Sequence, residues 1–186
     1  MAIHRRMVGD TGTPLNAKLS RNGNPIDLAG LTVKMQIEKD DGTSVLAETA
    51  TGVTTHPTQN FTVNTTTDAL LCNAHGVEQD DQIIVSTTTT LPSGLAASTR
   101  YFARDVTPNN FTVSSTPGGA VIDITSSGTG THSFYIVGSV QYDFSSASVT
   151  TAFTGRGWFT VYTGSEFDTL PTDPAGIRIE VLAYGN

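Results

Sequence analysis

Leu31-Thr32-Val33-Lys34-Met35-Gln36-Ile37-Glu38 alternates apolar and polar residues without a break. Along a strand, successive side chains point to opposite faces, so Leu31, Val33, Met35 and Ile37 share one face and Thr32, Lys34, Gln36 and Glu38 the other. Wound at 3.6 residues per turn, the same four apolar residues would divide between two opposite sides of a helix and form no single buried face. The stretch is therefore a half-buried strand. It is followed by Asp40-Asp41-Gly42, a hairpin turn, after which Ser44-Val45-Leu46-Ala47 begins another strand.

The same signals recur outward in both directions. Leu15-Asn16-Ala17-Lys18-Leu19 alternates, and Arg21-Asn22-Gly23-Asn24 carries an Asn-Gly tight turn. Towards the C-terminus, Val140-Gln141-Tyr142-Asp143-Phe144, Gly157-Trp158-Phe159-Thr160-Val161-Tyr162 and Ile177-Arg178-Ile179-Glu180-Val181-Leu182 read as strands. No window of ten residues has helical periodicity; Ser145 to Thr151 has room for one short helical turn. Ser, Thr, Gly and Val are abundant, which suits pleated strands and tight turns. The expected fold class is all-β.

Between residues 59 and 137 the texture changes. The segment is denser in Ser and Thr and has no Lys. Its strand signals are Phe61-Thr62-Val63, Gln82-Ile83-Ile84-Val85, Arg100-Tyr101-Phe102-Ala103, Phe111-Thr112-Val113 and Val121-Ile122-Asp123-Ile124. Asn-Phe-Thr-Val occurs at Asn60 and again at Asn110, which a shared strand-entry turn explains as well as a repeat does. The domain reading is a host made of residues 1–58 plus 138–186, interrupted by a small antiparallel β-module over 59–137.

The net charge of -7 and pI near 4.8 disfavour nucleic acid and anionic membranes as partners. The charge is uneven. Residues 1–58 are balanced, whereas 59–137 hold six acidic against two basic residues. His4-Arg5-Arg6 forms a small basic start followed by polar turns, which reads as no secretory signal. From this asymmetry the host is expected to dock and the insert to project into solvent.

The two outer segments resemble the N-terminal immunoglobulin-like domain of phage baseplate upper proteins. Gly9-Asp10-Thr11-Gly12-Thr13-Pro14 leads into a strand. Asn24-Pro25-Ile26-Asp27-Leu28-Ala29-Gly30-Leu31-Thr32-Val33 is similar to that family's P-x-D-L-[TA]-G-A-T-V stretch. Gly138-Ser139-Val140-Gln141-Tyr142 resembles its G-x-V-x-Y strand, and Gly155-Arg156-Gly157-Trp158-Phe159 its Gly-to-aromatic strand entry. Leu170-Pro171 and Ile177 to Val181 resemble its final turn and strand. The family joins these halves by a short turn, where this chain places the insert.

The insert resembles a small β-module of phage tail and fibre proteins. The likeness lies in Ala74-His75-Gly76-Val77-Glu78-Gln79-Asp80-Asp81-Gln82-Ile83, in Leu91-Pro92-Ser93-Gly94-Leu95 through Thr99-Arg100-Tyr101-Phe102, and in Thr116-Pro117-Gly118-Gly119-Ala120. Asp80 stands where that pattern usually has Gly. Together the resemblances imply an immunoglobulin-like antiparallel β-sandwich carrying an inserted β-module. They also imply a structural protein of a tailed-phage virion, at the tail tip, baseplate or capsid surface. The alternative is a carbohydrate- or host-receptor-binding module carried by the insert.

No catalytic, cofactor or metal site is assigned. His75, beside Glu78, Asp80 and Asp81, is the strongest metal candidate, yet Asp80 and Asp81 are adjacent and would point apart along a strand. His75 therefore reads as a structural residue at a turn. Asp40-Asp41-Gly42 reads as a turn before a calcium loop, and His56-Pro57 as the chain leaving the host. His132 falls at a turn or strand edge. The single Cys72 cannot form an internal disulfide and reads as a buried, inert thiol. Gly155-Arg156-Gly157 and Gly128-Thr129-Gly130 lack the following helix that a phosphate site needs. Trp158, Tyr162, Tyr101, Phe102 and Tyr135 could form a sugar platform, although a lone sandwich Trp is more often core. The partners expected are other virion subunits, in a homo-oligomer or in many copies, with a glycan as the further possibility. Neither nucleic acid nor membrane is expected.

Overall fold

The computed structural model describes residues 3–7, 14–21, 23–144, 153–163, 166–168 and 177–182. The chain divides into two compact units, Met1–His56 with Gly138–Asn186, and Pro57–Val137. In chain order the first unit opens with β1 (Ile3–Met7), β2 (Leu15–Lys18), β3 (Ser20–Arg21), β4 (Asn24–Pro25), β5 (Thr32–Lys39), β6 (Ser44–Thr49) and β7 (Val53–Thr55). The second unit contributes β8 (Gln59–Asn64), β9 (Ala69–Leu71), β10 (Gln82–Thr87), β11 (Arg100–Thr107), β12 (Asn110–Ser114) and β13 (His132–Ile136). The first unit then resumes with β14 (Ser139–Tyr142), β15 (Phe153–Thr163), β16 (Glu166–Asp168) and β17 (Ile177–Leu182). The protein is all-β, with no helix among the described residues. The helical turn expected over Ser145 to Thr151 lies outside them.

The first unit has two main sheets. One runs β1-β17-β15-β5-β6, with β16 also on β15; the other runs β2-β14-β7. Their apolar faces supply one core. Val33, Met35 and Ile37 of β5 and Phe159 and Val161 of β15 come from the first sheet, and Leu15, Val140 and Tyr142 from the second. This is a β-sandwich. The opening octapeptide behaves as its alternation requires, since Val33, Met35 and Ile37 are buried and Lys34, Gln36 and Glu38 only half-buried. Pairing is antiparallel except for β1, which lies parallel to β17.

Each quoted turn has a local cause. Gly23 takes φ +79 between β3 and β4, in the left-handed region where only Gly is unstrained. Asp27 Oδ1 accepts the Ala29 amide at 3.1 Å, and Leu28, next to it, is fully buried. At Asp40-Asp41-Gly42, Asp41 Oδ1 accepts the Thr43 amide at 2.8 Å. That hydrogen bond holds the Asp41 carboxyl below the usual carboxylate range. The carboxylate thus closes the turn.

The second unit is a closed six-stranded antiparallel barrel in the order β10-β11-β12-β9-β8-β13. Its interior holds Phe61, Leu70, Ile83, Val85, Ala103, Phe111, Val113 and Phe134. The two Asn-Phe-Thr-Val segments are the two neighbours of β9, and both phenylalanines are buried. Val121 to Ile124 does not form the expected strand. Val121 makes one isolated bridge to Ser114, and the Ile124 amide is held by Asp68 Oδ1 at 2.8 Å while its side chain fills the core. Apolar alternation there reports burial without a ladder.

The barrel leaves and rejoins the sandwich between paired strands. β7 lies antiparallel to β14, with Thr55 opposite Val140, and the His56 amide donates to Ser139 O at 2.9 Å. Closing the chain there needs only a turn, and the closure entropy of a long excursion grows only logarithmically with its length. A chain in which a short Gly-containing turn replaces residues 57–137 is expected to keep the sandwich's β circular dichroism and one cooperative unfolding transition. A non-cooperative melt would show that the sandwich needs the barrel.

His56 is built into this junction. It has φ +50 and is half-buried, and its Nε2 accepts the Leu28 amide at 3.2 Å and the Gly138 amide at 3.4 Å. Burial pushes the imidazole pKa below its usual 6.5, partly offset by Asp27. The folded state therefore binds fewer protons than the unfolded chain between the lowered value and 6.5. This contribution to stability is complete above that window and is lost as pH falls through it. Denaturant midpoints of the sandwich are expected to drop from about pH 7 to about pH 5. In His56→Asn, which keeps an acceptor and tolerates positive φ, that part of the slope should vanish.

Candidate functional site

The barrel's pairing splits at β8. Gln59 to Phe61 pair with β13, whereas Thr62 to Asn64 pair with β9. The segment that would continue β13 turns to the other side. Thr129 bridges Thr90, and the Thr88 amide donates to Thr131 O at 3.1 Å. Beside this divergence lies a cleft of about 610 Å³. Its floor is β8 from Asn60 to Val63, one side is Leu71 to Asn73, and its wall is Ser127 to His132.

No carboxylate, ammonium or guanidinium lines it. His132 is buried, with Nδ1 on Thr87 Oγ1 and Nε2 on Ser127 O, each at 2.9 Å. Both ring nitrogens are thus committed, and the ring leans on Phe61 at 5.6 Å between centroids. His132 fixes the wall to the barrel and offers no free nitrogen for catalysis. Cys72 is half-buried at the cleft margin, just past β9, in place of the buried strand position expected. Its Sγ lies 3.4 Å from Gln59 Oε1, and burial pushes the thiol pKa up, which disfavours the thiolate.

No protein-family model, curated protein or solved structure matches this chain. The site therefore rests on its own geometry.

His75 is buried and fully engaged. Nε2 sits 2.7 Å from Thr107 O, and Nδ1 accepts the Val77 amide at 2.9 Å, which fixes the Nε2–H tautomer. Its ring meets Phe111 edge-on at 5.1 Å. Asp81 Oδ2 accepts the Glu78 amide at 2.7 Å. Asp80 takes φ +64, the conformation that Gly supplies in the resembling module, and Asp is among the few residues that tolerate it. Among the described residues no group of three His, Cys, Asp or Glu is placed to hold a metal ion.

The aromatic candidates are divided between the two units. Tyr101 is core, with its hydroxyl accepting the Ala96 amide at 2.8 Å. Phe102 and Tyr135 are half-buried on the barrel. Tyr162 is on the sandwich under the Lys34 ammonium, 4.2 Å from the ring centroid. Phe159 and Val161 form the core face of β15; the side chain of Trp158 lies outside the description. Gly155 is set inside a strand where β15 passes Glu38, so Gly155-Arg156-Gly157 has no phosphate-loop geometry. No helix of the described residues is long and apolar enough to cross a membrane.

Proposed function

We propose that this protein is a non-enzymatic structural component of a tailed-phage virion, at the tail tip, baseplate or capsid surface, acting through protein–protein contacts. One observation carries the reading: several of the residues quoted for the baseplate resemblance lie in the sandwich core or in the turn that leads into it. Leu28, Val140, Tyr142 and Phe159 are core, and Asp27 and Gly30 make the turn into β5. A match of motif order alone would not require those positions to pack together. On this reading the sandwich is immunoglobulin-like and supplies docking surfaces to other virion subunits in many copies. Obligate contacts of that kind bury on the order of 2,000 Å² or more. The histidines and the cysteine described above are committed to structure, which supports a role without chemistry.

Mass spectrometry and cryo-EM of purified particles test this. The chain should be present at a stoichiometry that is a multiple of the particle symmetry, with density for the sandwich against neighbouring subunits. Its absence from particles overturns the proposal, as does a hydrolytic turnover abolished by one point substitution.

A further inference from the structure

We infer that the cleft beside β8 is a binding site for a neutral oligosaccharide. The inference stands on the barrel alone and goes beyond the virion reading.

Charge selects the ligand class. The barrel segment carries six acidic and two basic residues, yet none of them lines the cleft. A charged ligand would find no counter-charge there to offset the water it gives up. The described groups instead suit a polar but neutral partner. Asn60, Thr62, Asn73, Ser127, Thr129 and Thr131 are all exposed at the cleft. Hydroxyls and carboxamides each donate and accept, and sugar hydroxyls need both from one site.

Apolar side chains also line the cleft. Leu71 is 38 % exposed and Val63 half-buried. Leu71 stands among those hydroxyls and amides, where the C–H face of a sugar ring would cover it. The volume lies within the usual span of ligand sites, roughly 300–1,000 Å³. The walls are also preorganised. Thr90 and Thr129 exchange amide-to-carbonyl hydrogen bonds at 2.9 and 3.1 Å, and His132 ties the wall to Thr87, so little ordering remains to be done on binding.

The test is an NMR titration of the full-length ¹⁵N-labelled chain with neutral oligomers of glucose, mannose, galactose and N-acetylglucosamine. Sialylated and uronate-containing oligomers and a Thr/Val-rich hexapeptide run in parallel. At least one neutral oligomer should shift amides of residues 60–63, 71–73 and 127–132. Leu71→Asp and Thr62→Lys, both at exposed positions, should weaken that binding at least tenfold while leaving dispersed barrel resonances. The inference is overturned if no neutral oligomer moves these amides up to about 10 mM. It is also overturned if the shifts fall elsewhere, if only acidic sugars or the peptide bind, or if both folded variants bind as the parent does. Failure on any of these counts leaves the presence of the chain in particles untouched, so the two proposals fall separately.

Discussion

Phe111→Ala is expected to destabilise the barrel by about 3–5 kcal/mol, the usual cost of emptying a buried phenylalanine site. Phe111 is completely buried on β12. Its ring meets Phe134 at 5.2 Å and 73° and His75 at 5.1 Å and 64°, so its loss removes edge contacts to two rings as well as apolar burial. His75 is held by Thr107 and Val77 at turns, which limits how far the site can collapse. Against a domain stability of roughly 5–15 kcal/mol, such a loss removes a large share of the barrel's margin. The effect should be local. The only Trp, Trp158, is in β15 of the sandwich, so its fluorescence follows that unit, whereas far-ultraviolet circular dichroism follows both. The barrel's dichroism transition should move to lower denaturant while the Trp transition stays in place. Phe111→Leu, which keeps most of the volume, should show a much smaller shift. An equal shift of both signals would show the units unfolding as one.

Much of the fold was legible because its strands obey local rules. Thr32 to Lys39 alternates over a full strand, and one buried face leaves one reading. Asn22-Gly23 and Asp40-Asp41-Gly42 act through positive φ at glycine and an aspartate cap, both written in two or three residues. Val121 to Ile124 misled because burial and strand pairing share one hydrophobic signal. Ile124 is fully buried, but its amide is satisfied by the Asp68 side chain 56 residues away. Cys72 misled similarly. Its apolar neighbours Ala69 and Leu70 are buried, yet the strand ends at Leu71 and the turn at Asn73-Ala74 leaves the thiol at the margin.

The cleft had no local signal. It arises because β8 changes partner in mid-strand and because residues 129–131 bond to 88–90. Both facts concern pairings among distant segments, which periodicity does not record. What the sequence did offer was the Ser/Thr density of residues 59–137, which reads equally as strand propensity. The roles of His75 and His132 were half legible. Their sequence isolation argued against zinc, but only the distances to Thr107, Val77, Thr87 and Ser127 show that all four ring nitrogens are already used.

Gly155→Val sets intrinsic strand propensity against close packing. Valine is favoured over glycine in strands by up to about 1 kcal/mol, so local preference predicts a gain. The geometry predicts the reverse. A Cβ at residue 155 would fall against the Glu38 carbonyl oxygen, nearer than real Cβ atoms come, with Glu38 C and Lys39 Cα each only 3.0 Å away. These are backbone atoms of the paired strand β5 and cannot swing aside as a side chain would. Relief requires β15 and β5 to part, and eight residues of each are in register there, from Gly155 opposite Lys39 to Tyr162 opposite Thr32. Those two strands also supply Met35, Ile37, Phe159 and Val161 to the core, so separating them opens the sandwich. Overpacking costs typically about 1–3 kcal/mol when neighbours adjust, and more when they are backbone. We expect a net loss of about 2–3 kcal/mol, with Gly155→Ala losing less, read as a lower denaturant midpoint of the Trp158 transition. The barrel's share of the dichroism should not move. A Gly155→Val protein with an unchanged or raised midpoint would mean that β15 shifts freely past Glu38, and the close approach would then be no constraint on the sandwich.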